Sequence, residues 1–281
     1  MNDASDYVFP APAKLNLMLQ VVGRRADGYH LLQTVFRFIS YGDRLTFRLR
    51  ADGRVVRVNS LPGVAEEADL CVRAARALQR EAGVPSGADI LLDKHLPPGG
   101  GLGGGSSDAA TTLIALNRLW RIGFDRERLA RIALGLGADV PVFVMGNNAF
   151  AEGVGERLQP VPLPPAWYVV LVPPVAVSTA RAFSDPELKR DSNPIRISAF
   201  SAELGRNSLE PVVCRDYPEV AQHLAWLRRF GNAALTGSGA CVFAAFPTAA
   251  AAGKVFERLP SAMRGFVARG LDAHPLRDWN G

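Results

Sequence analysis

The segment Pro97-Pro98-Gly99-Gly100-Gly101-Leu102-Gly103-Gly104-Gly105-Ser106-Ser107 constrains this chain more than any other. Six glycines in the seven positions 99–105 give up backbone entropy on folding and contribute no side-chain packing. A fold tolerates that where the main chain must come close to a ligand with its N–H groups exposed. The following stretch, Asp108 to Trp120, is rich in alanine and leucine and predicts a helix. Ser106, Ser107 and Asp108 are residue types that cap helix N-termini. The loop therefore opens on a helix start, where free amides and the positive end of the helix dipole converge to make an anion site. A flexible linker is the plainer alternative, but linkers rarely sit between a strand and a strongly patterned helix. The spacing is not that of a Walker A loop, because no lysine follows the glycines. Nor is it a dinucleotide-binding fingerprint, which follows the first strand rather than arriving near residue 100.

Around this loop the pattern alternates between strand and helix signals. Leu15, Leu17, Leu19 and Val21 alternate with Asn16, Met18, Gln20 and Val22, as a strand requires. Further strands are expected at 34–40, 45–49 and 55–58, with Asp52-Gly53 as a hairpin turn between the last two. A helix is expected over 68–82, a short strand at 90–92 and a second helix over 126–136. Pro160, Pro162, Pro164 and Pro165 mark the best boundary, giving an N-terminal unit over 1–160 and a C-terminal unit over 161–281. In the second unit strands are expected at 167–172, 240–246 and 265–269. Helices are expected near 217–229 and after Thr248, a suitable N-cap. Mixed elements without strict βαβ alternation indicate an α+β fold.

Composition narrows the function. The 281 residues are 48% hydrophobic and 21% charged, which suits a soluble protein with a proper core and argues against disorder. The net charge of +5 is spread along the chain, so it reads as solvated surface rather than a nucleic-acid footprint. Cys71, Cys214 and Cys241 are far apart and odd in number, which argues against a disulfide framework or zinc site and suits a reducing, cytoplasmic setting. Asp3, Asp6 and Lys14 interrupt the N-terminus where a signal peptide needs an apolar core. The uncharged stretches 158–180 and 231–253 are broken by prolines and glycines, so neither reads as a membrane span.

Two smaller features bear on chemistry. Lys14 and Asn16 share one side of the first strand, and Asp139 in Gly137-Ala138-Asp139-Val140-Pro141-Val142-Phe143 is a carboxylate in an apolar frame. An unpaired charge there is costly, and a cation such as Lys14 makes it tolerable. On the residues alone, Lys14 and Asn16 read better as a surface pair, and Tyr29-His30 better as a half-buried loop anchor. His223 and His274 show no sequence partner and are expected at the surface.

The early strand with Lys14 and Asn16, the glycine loop, the 137–143 segment and the late turn Leu235-Thr-Gly-Ser-Gly-Ala-Cys-Val-Phe243 resemble the GHMP kinase superfamily in order and type. Further likeness lies in residues 23–33, Tyr41-Gly42-Asp43 and 149–156; it thins between Ser184 and Cys214. The resemblance implies a two-domain fold with the active site in the cleft between domains, and ATP-dependent phosphorylation of a small alcohol. By position it implies Asp139 as general base, with Lys14 orienting the pair and offsetting charge. Asn16 would hold the acceptor, and Tyr29, His30 and Phe183 would grip a cytidine. Asp69, Lys94, Pro97, Pro98, Gly99, Gly100, Gly101, Leu102, Gly103, Gly104, Gly105, Ser106 and Ser107 would serve ATP, with Mg²⁺ neutralising its phosphates and no metal ligands assigned. The implied partners are ATP and a cytidine diphosphate-linked methylerythritol, without nucleic acid or membrane, in a monomer or weak homodimer. A different alcohol such as homoserine or mevalonate, or a nucleotide-binding module without chemistry, remains an alternative. Asp69 stands where the family often has Asn, and a carboxylate lacks the amide's donor. Asp108 is expected to cap the helix rather than hold Mg²⁺.

Overall fold

The computed structural model describes residues 6–197, 200 and 206–279; Asp3 of the N-terminal reading and part of the stretch 184–206 lie outside them. Two long antiparallel strands, β1 (Tyr7–Arg24) and β2 (His30–Arg50), run side by side for most of their length. β2 does not break at Tyr41-Gly42-Asp43 as the separate expected strands implied. Gly42 lets β1 pass at close range, because a Cβ there would lie 2.2 Å from the Ala11 carbonyl oxygen.

The expected hairpin around Asp52-Gly53 does not form. β4 (Gly87–Asp93) lies between β2 and β3 (Val55–Arg57), antiparallel to the first and parallel to the second. Parallel neighbours need a crossover, and α1 (Leu70–Ala82) supplies it. Its N-cap is Asp69, whose side chain accepts from the amides of Cys71 and Val72; Gly83, in the left-handed region, ends it. β5 (Ala149–Gly153) and β6 (Arg157–Pro160) complete the first sheet.

α2 (Gly104–Leu119), α3 (Arg126–Leu134) and α4 (Val140–Met145) pack with α1 over this sheet. Phe9, Phe36, Phe38 and Phe47 from the strands meet Val72, Leu78, Leu113 and Phe143 from the helices. The second sheet has the order β10-β7-β9-β8, with β7 Trp167–Leu171, β8 Ala233–Leu235, β9 Val242–Phe246 and β10 Gly265–Arg269. Around it lie α5 (Thr179–Ser184), α6 (Glu210–Asp216), α7 (Pro218–Leu227) and α8 (Ala249–Phe256), the last capped by Thr248 as expected.

A third apolar cluster joins the sheets: Leu15, Met18, Val35 and Ile39 meet Tyr168, Val170 and Phe243. For that reason residues 11–19 of β1 are buried on both faces, although their alternation reads as a half-exposed strand. The arrangement is α+β. No helix among the described residues is long and apolar enough to cross a membrane. The three cysteines are free, Cys71 and Cys241 buried and Cys214 half-buried.

The two surface histidines of the sequence reading are in fact buried. The Nδ1 of His223 lies 2.7 Å from the Glu219 carbonyl on its own helix. His274 packs edge-on against Phe38 and Phe143, and its Nδ1 accepts from the Leu276 amide at 3.1 Å. Burial, with a contribution from Arg126, pushes its pKa down to about 3. The unfolded chain protonates this residue near 6.5, so its contribution to stability is whole above that value and is lost as pH falls toward 3. Between pH 7.5 and 5, His274 should account for a loss of about 2 kcal/mol in folding free energy. Denaturant titrations across that range should show a flatter dependence for His274→Leu; equal slopes would mean the imidazole is accessible to protons. Packing at the joint between the sheets gives a second expectation. Gly270 faces fully buried Arg37, and a Cβ there would come within 2.5 Å of its Nε and Nη2. Gly270→Ala should therefore lower stability by about 1–3 kcal/mol through overpacking, read as a lower denaturation midpoint.

Candidate active site

One cleft of about 1200 Å³ gathers nearly every residue singled out from the sequence. Lys14, Asn16, Tyr29, His30, Asp69, Lys94, residues 97–106, Asp139 and Phe183 all line it. Ser107 does not. It is fully buried inside α2, where its hydroxyl donates to the Pro12 carbonyl at 2.7 Å and fastens the helix to β1.

At the centre stands Lys14, whose side chain is 3% exposed. Its ammonium has three protons and finds three acceptors: Asn16 Oδ1 at 2.5 Å, Gly101 O at 3.1 Å and Asp139 Oδ2 at 3.2 Å. Asn16 is held in turn, its Nδ2 donating to Thr34 Oγ1 and its backbone amide to Thr236 Oγ1. Asp139 occupies the N-cap position of α4 without spending its carboxylate on a capping bond. With a side-chain exposure of 36%, the carboxylate keeps one side open to the cleft.

The glycine loop is shaped by what it passes. Gly101 has φ +73°, and a Cβ there would sit 2.1 Å from the Thr236 carbonyl. Gly99 and Gly100 accept from the amides of Ala240 and Cys241, so the late turn braces the loop from behind. α2 starts at Gly104, four residues earlier than the sequence suggested, because Gly104 and Gly105 read as loop. Its N-cap is Gly103 in the left-handed region, with no side-chain cap. Ser106, Ser107 and Asp108 are therefore inside the helix, and the capping expected of Asp108 does not occur. Ser107 N already donates to Gly103 O, which leaves the amides of Gly104, Gly105 and Ser106 without a partner among the described residues. Three unpaired amides at the start of a 16-residue helix give the donor geometry that an anion can use.

Beside them lies a charged cluster the sequence reading only half anticipated. Lys94 Nζ donates to Asp43 Oδ2 at 2.5 Å and Asp108 Oδ2 at 2.8 Å. Burial alone depresses its pKa, but the two carboxylates more than offset that and hold it above the ordinary lysine value. Burial pushes Asp108 up to about 8, and its Oδ1 has no partner. Asp43, its side chain fully buried, also accepts from the amides of His95 and Leu96, and so anchors the segment that leads from β4 into the loop. In the sequence its signal is the tripeptide 41–43, which carries family likeness but assigns Asp43 no role.

Asp69 explains its own departure from asparagine. One oxygen caps α1 and the other pairs with Arg57 Nη1 at 2.9 Å, with both side chains buried. An amide could not balance the Arg57 charge there. At the far end of the cleft His30 opens β2 and its ring stands 5.0 Å from that of Phe183 on α5, while Tyr29 is 66% exposed on the loop before it. Arg190 also lines this end, and nothing in the sequence singled it out.

Comparison with known proteins agrees with this geometry. Residues 69–147 match the model for the GHMP kinases N terminal domain, and residues 186–265 the model for the GHMP kinases C terminal. The chain is 63% identical over 273 residues to the 4-diphosphocytidyl-2-C-methyl-D-erythritol kinase of Nitrosospira multiformis, covering 96% of this chain and 93% of that protein. It is likewise 63% identical over 271 residues to the protein of the same name from Thiobacillus denitrificans, covering 96% and 98%. A crystal structure of 4-(cytidine 5'-diphospho)-2C-methyl-D-erythritol kinase superposes with a TM-score of 0.82 at 37% identity, over 94% of this chain and 99% of that one. A mevalonate kinase structure at 13% identity and TM-score 0.71 shares the fold. A cleft with an acid–lysine pair at a glycine-rich helix start, and likeness over nearly the whole length, place this chain in the GHMP kinase family.

Proposed function

We infer that this chain transfers the γ-phosphoryl group of ATP to the 2-hydroxyl of 4-diphosphocytidyl-2-C-methyl-D-erythritol, a step of non-mevalonate isoprenoid biosynthesis. The observation that carries the reading is the Lys14–Asp139 pair at 3.2 Å, set between the unpaired amides of α2 and the aromatic end of the same cleft.

Asp139 accepts the proton of the acceptor hydroxyl as that oxygen attacks phosphorus. Lys14 fixes the carboxylate and offsets charge on the group in transit, while its bond to Gly101 O ties its position to the loop. The amides of Gly104, Gly105 and Ser106 hold phosphate oxygens without any rearrangement, since the loop is already braced by residues 240–241. Asn16, held by Thr34 and Lys14, steers the acceptor. Lys94 gives a further positive charge beside the phosphates, and Asp69 with Leu61, Val64 and Leu70 walls the base. Tyr29, His30 and Phe183 grip the cytosine by stacking and by its hydrogen-bonding edge. The site suits Mg²⁺: Asp108 offers a buried oxygen without a partner, which would become a hard donor for this ion, alongside triphosphate oxygens, on giving up the proton that its raised pKa retains. When bound, Mg²⁺ supplies neutralisation of the triphosphate charge. The free cysteines suit a reducing cytoplasm.

Purified protein given ATP, Mg²⁺ and the cytidylylated methylerythritol should release ADP, and mevalonate or homoserine should not replace that substrate. Turnover of mevalonate or homoserine instead would leave a kinase with a different acceptor. Asp139→Asn should lower kcat by about 10²–10⁴-fold with little change in ATP affinity. Unchanged turnover would make Asp139 structural.

A further inference from the structure

At the aromatic end of the cleft, Arg190 donates from all three guanidinium nitrogens, and two of its partners, His30 and Phe183, line the cleft with it. Its Nε–H donates to His30 Nε2 at 3.1 Å. Nη1 donates to the Leu188 carbonyl at 3.0 Å, and Nη2 to the carbonyls of Phe183 and Asp185 at 3.0 and 2.7 Å. A guanidinium has donors only and does not give up its proton at any physiological pH. The His30 nitrogen that faces it must therefore be the bare one, which places the ring proton on Nδ1. Among the described residues Nδ1 has no hydrogen bond, and the ring lines the cleft. Burial and the charges of Arg190 and Arg24 also lower the pKa of His30, so the ring stays neutral.

We propose that Arg190 is a positioning residue for specificity: by fixing His30 as the Nδ1–H tautomer, it makes the cleft a donor-presenting site that selects cytosine over uracil. This rests on the reading of that end of the cleft as the cytidine site. Cytosine N3 is an acceptor and pairs with an N–H aimed at the base edge. Uracil carries a hydrogen on N3, so two donors would face each other and one polar group would be left unpaired. A histidine without Arg190 is free to move its proton to Nε2, and its Nδ1 can then accept from uracil. Phe183 stacks on either base with the same face, so the backbone contacts add affinity without selecting.

Calorimetric titration of the wild type and of Arg190→Met with cytidine 5'-diphosphate and uridine 5'-diphosphate tests this, with a non-hydrolysable ATP analogue as the control for folding. The wild type should favour the cytidine compound on the order of tenfold, the worth of one misplaced hydrogen bond. In Arg190→Met that ratio should fall toward unity while binding of the ATP analogue is unchanged. Equal weakening of both compounds, with the ratio intact, would overturn the proposal and leave Arg190 a structural brace. A wild type without any preference for cytidine would overturn the proposal together with the cytidine reading. Should the variant not fold, ¹⁵N NMR of histidine-labelled wild type decides: a protonated Nδ1 on His30 is expected, and a protonated Nε2 overturns the assignment.

Discussion

Three acceptors around one ammonium hold the site of this protein together. Lys14 reaches Asn16 on its own strand, Gly101 in the glycine loop and Asp139 at the start of α4, parts of the chain more than a hundred residues apart at the extremes. Each of those acceptors is itself placed by the fold. Asn16 is tied to Thr34 across the β1–β2 pair; Gly101 is pressed against Thr236; Asp139 rides on a helix packed by Phe143 into the first core. Burial of the lysine raises the cost of any missing acceptor, so the three positions support one another.

The same logic extends outward to both ends of the cleft. Asp43 and Lys94 fix the strand entering the glycine loop, and the turn at 236–241 supports the loop from behind. At the opposite end Arg190 bridges a strand residue, His30, to the helix carrying Phe183. The unpaired amides and the aromatic rings thus lie on separate elements of one cleft that β1 and β2 also line. Transfer between two bound molecules depends on that shared lining, because it sets their relative position before either arrives.

Much of this was legible in the sequence, for reasons that differ by residue. The glycine loop announces itself because a linker rarely carries six glycines between a strand and a patterned helix, and Asp139 because a carboxylate in an apolar run demands a cation. Strand neighbours were harder. Alternation at 45–49 and 55–58 shows that both are strands, but not that β4 lies between them, since that pairing depends on the α1 crossover and on a strand that starts only at Gly87. The start of α2 was placed late because Gly104 and Gly105 are poor helix formers, and tertiary packing of the loop overrode that propensity. His274 reads as a surface residue because its environment, Phe38 and Phe143, comes from distant segments. Arg190 sits in a polar stretch without periodicity, where nothing local separates it from a solvated side chain.

The central claim is that the acceptor alcohol is deprotonated by the carboxylate that Lys14 holds, beside phosphates bound at the α2 amides. The most direct measurement is a crystal structure with a non-hydrolysable ATP analogue and the cytidylylated alcohol bound together. The account places the reacting hydroxyl within about 2.6–3.2 Å of Asp139 and the terminal phosphate against Gly104–Ser106. A hydroxyl turned away from Asp139, or a triphosphate lying elsewhere than those amides, would contradict it.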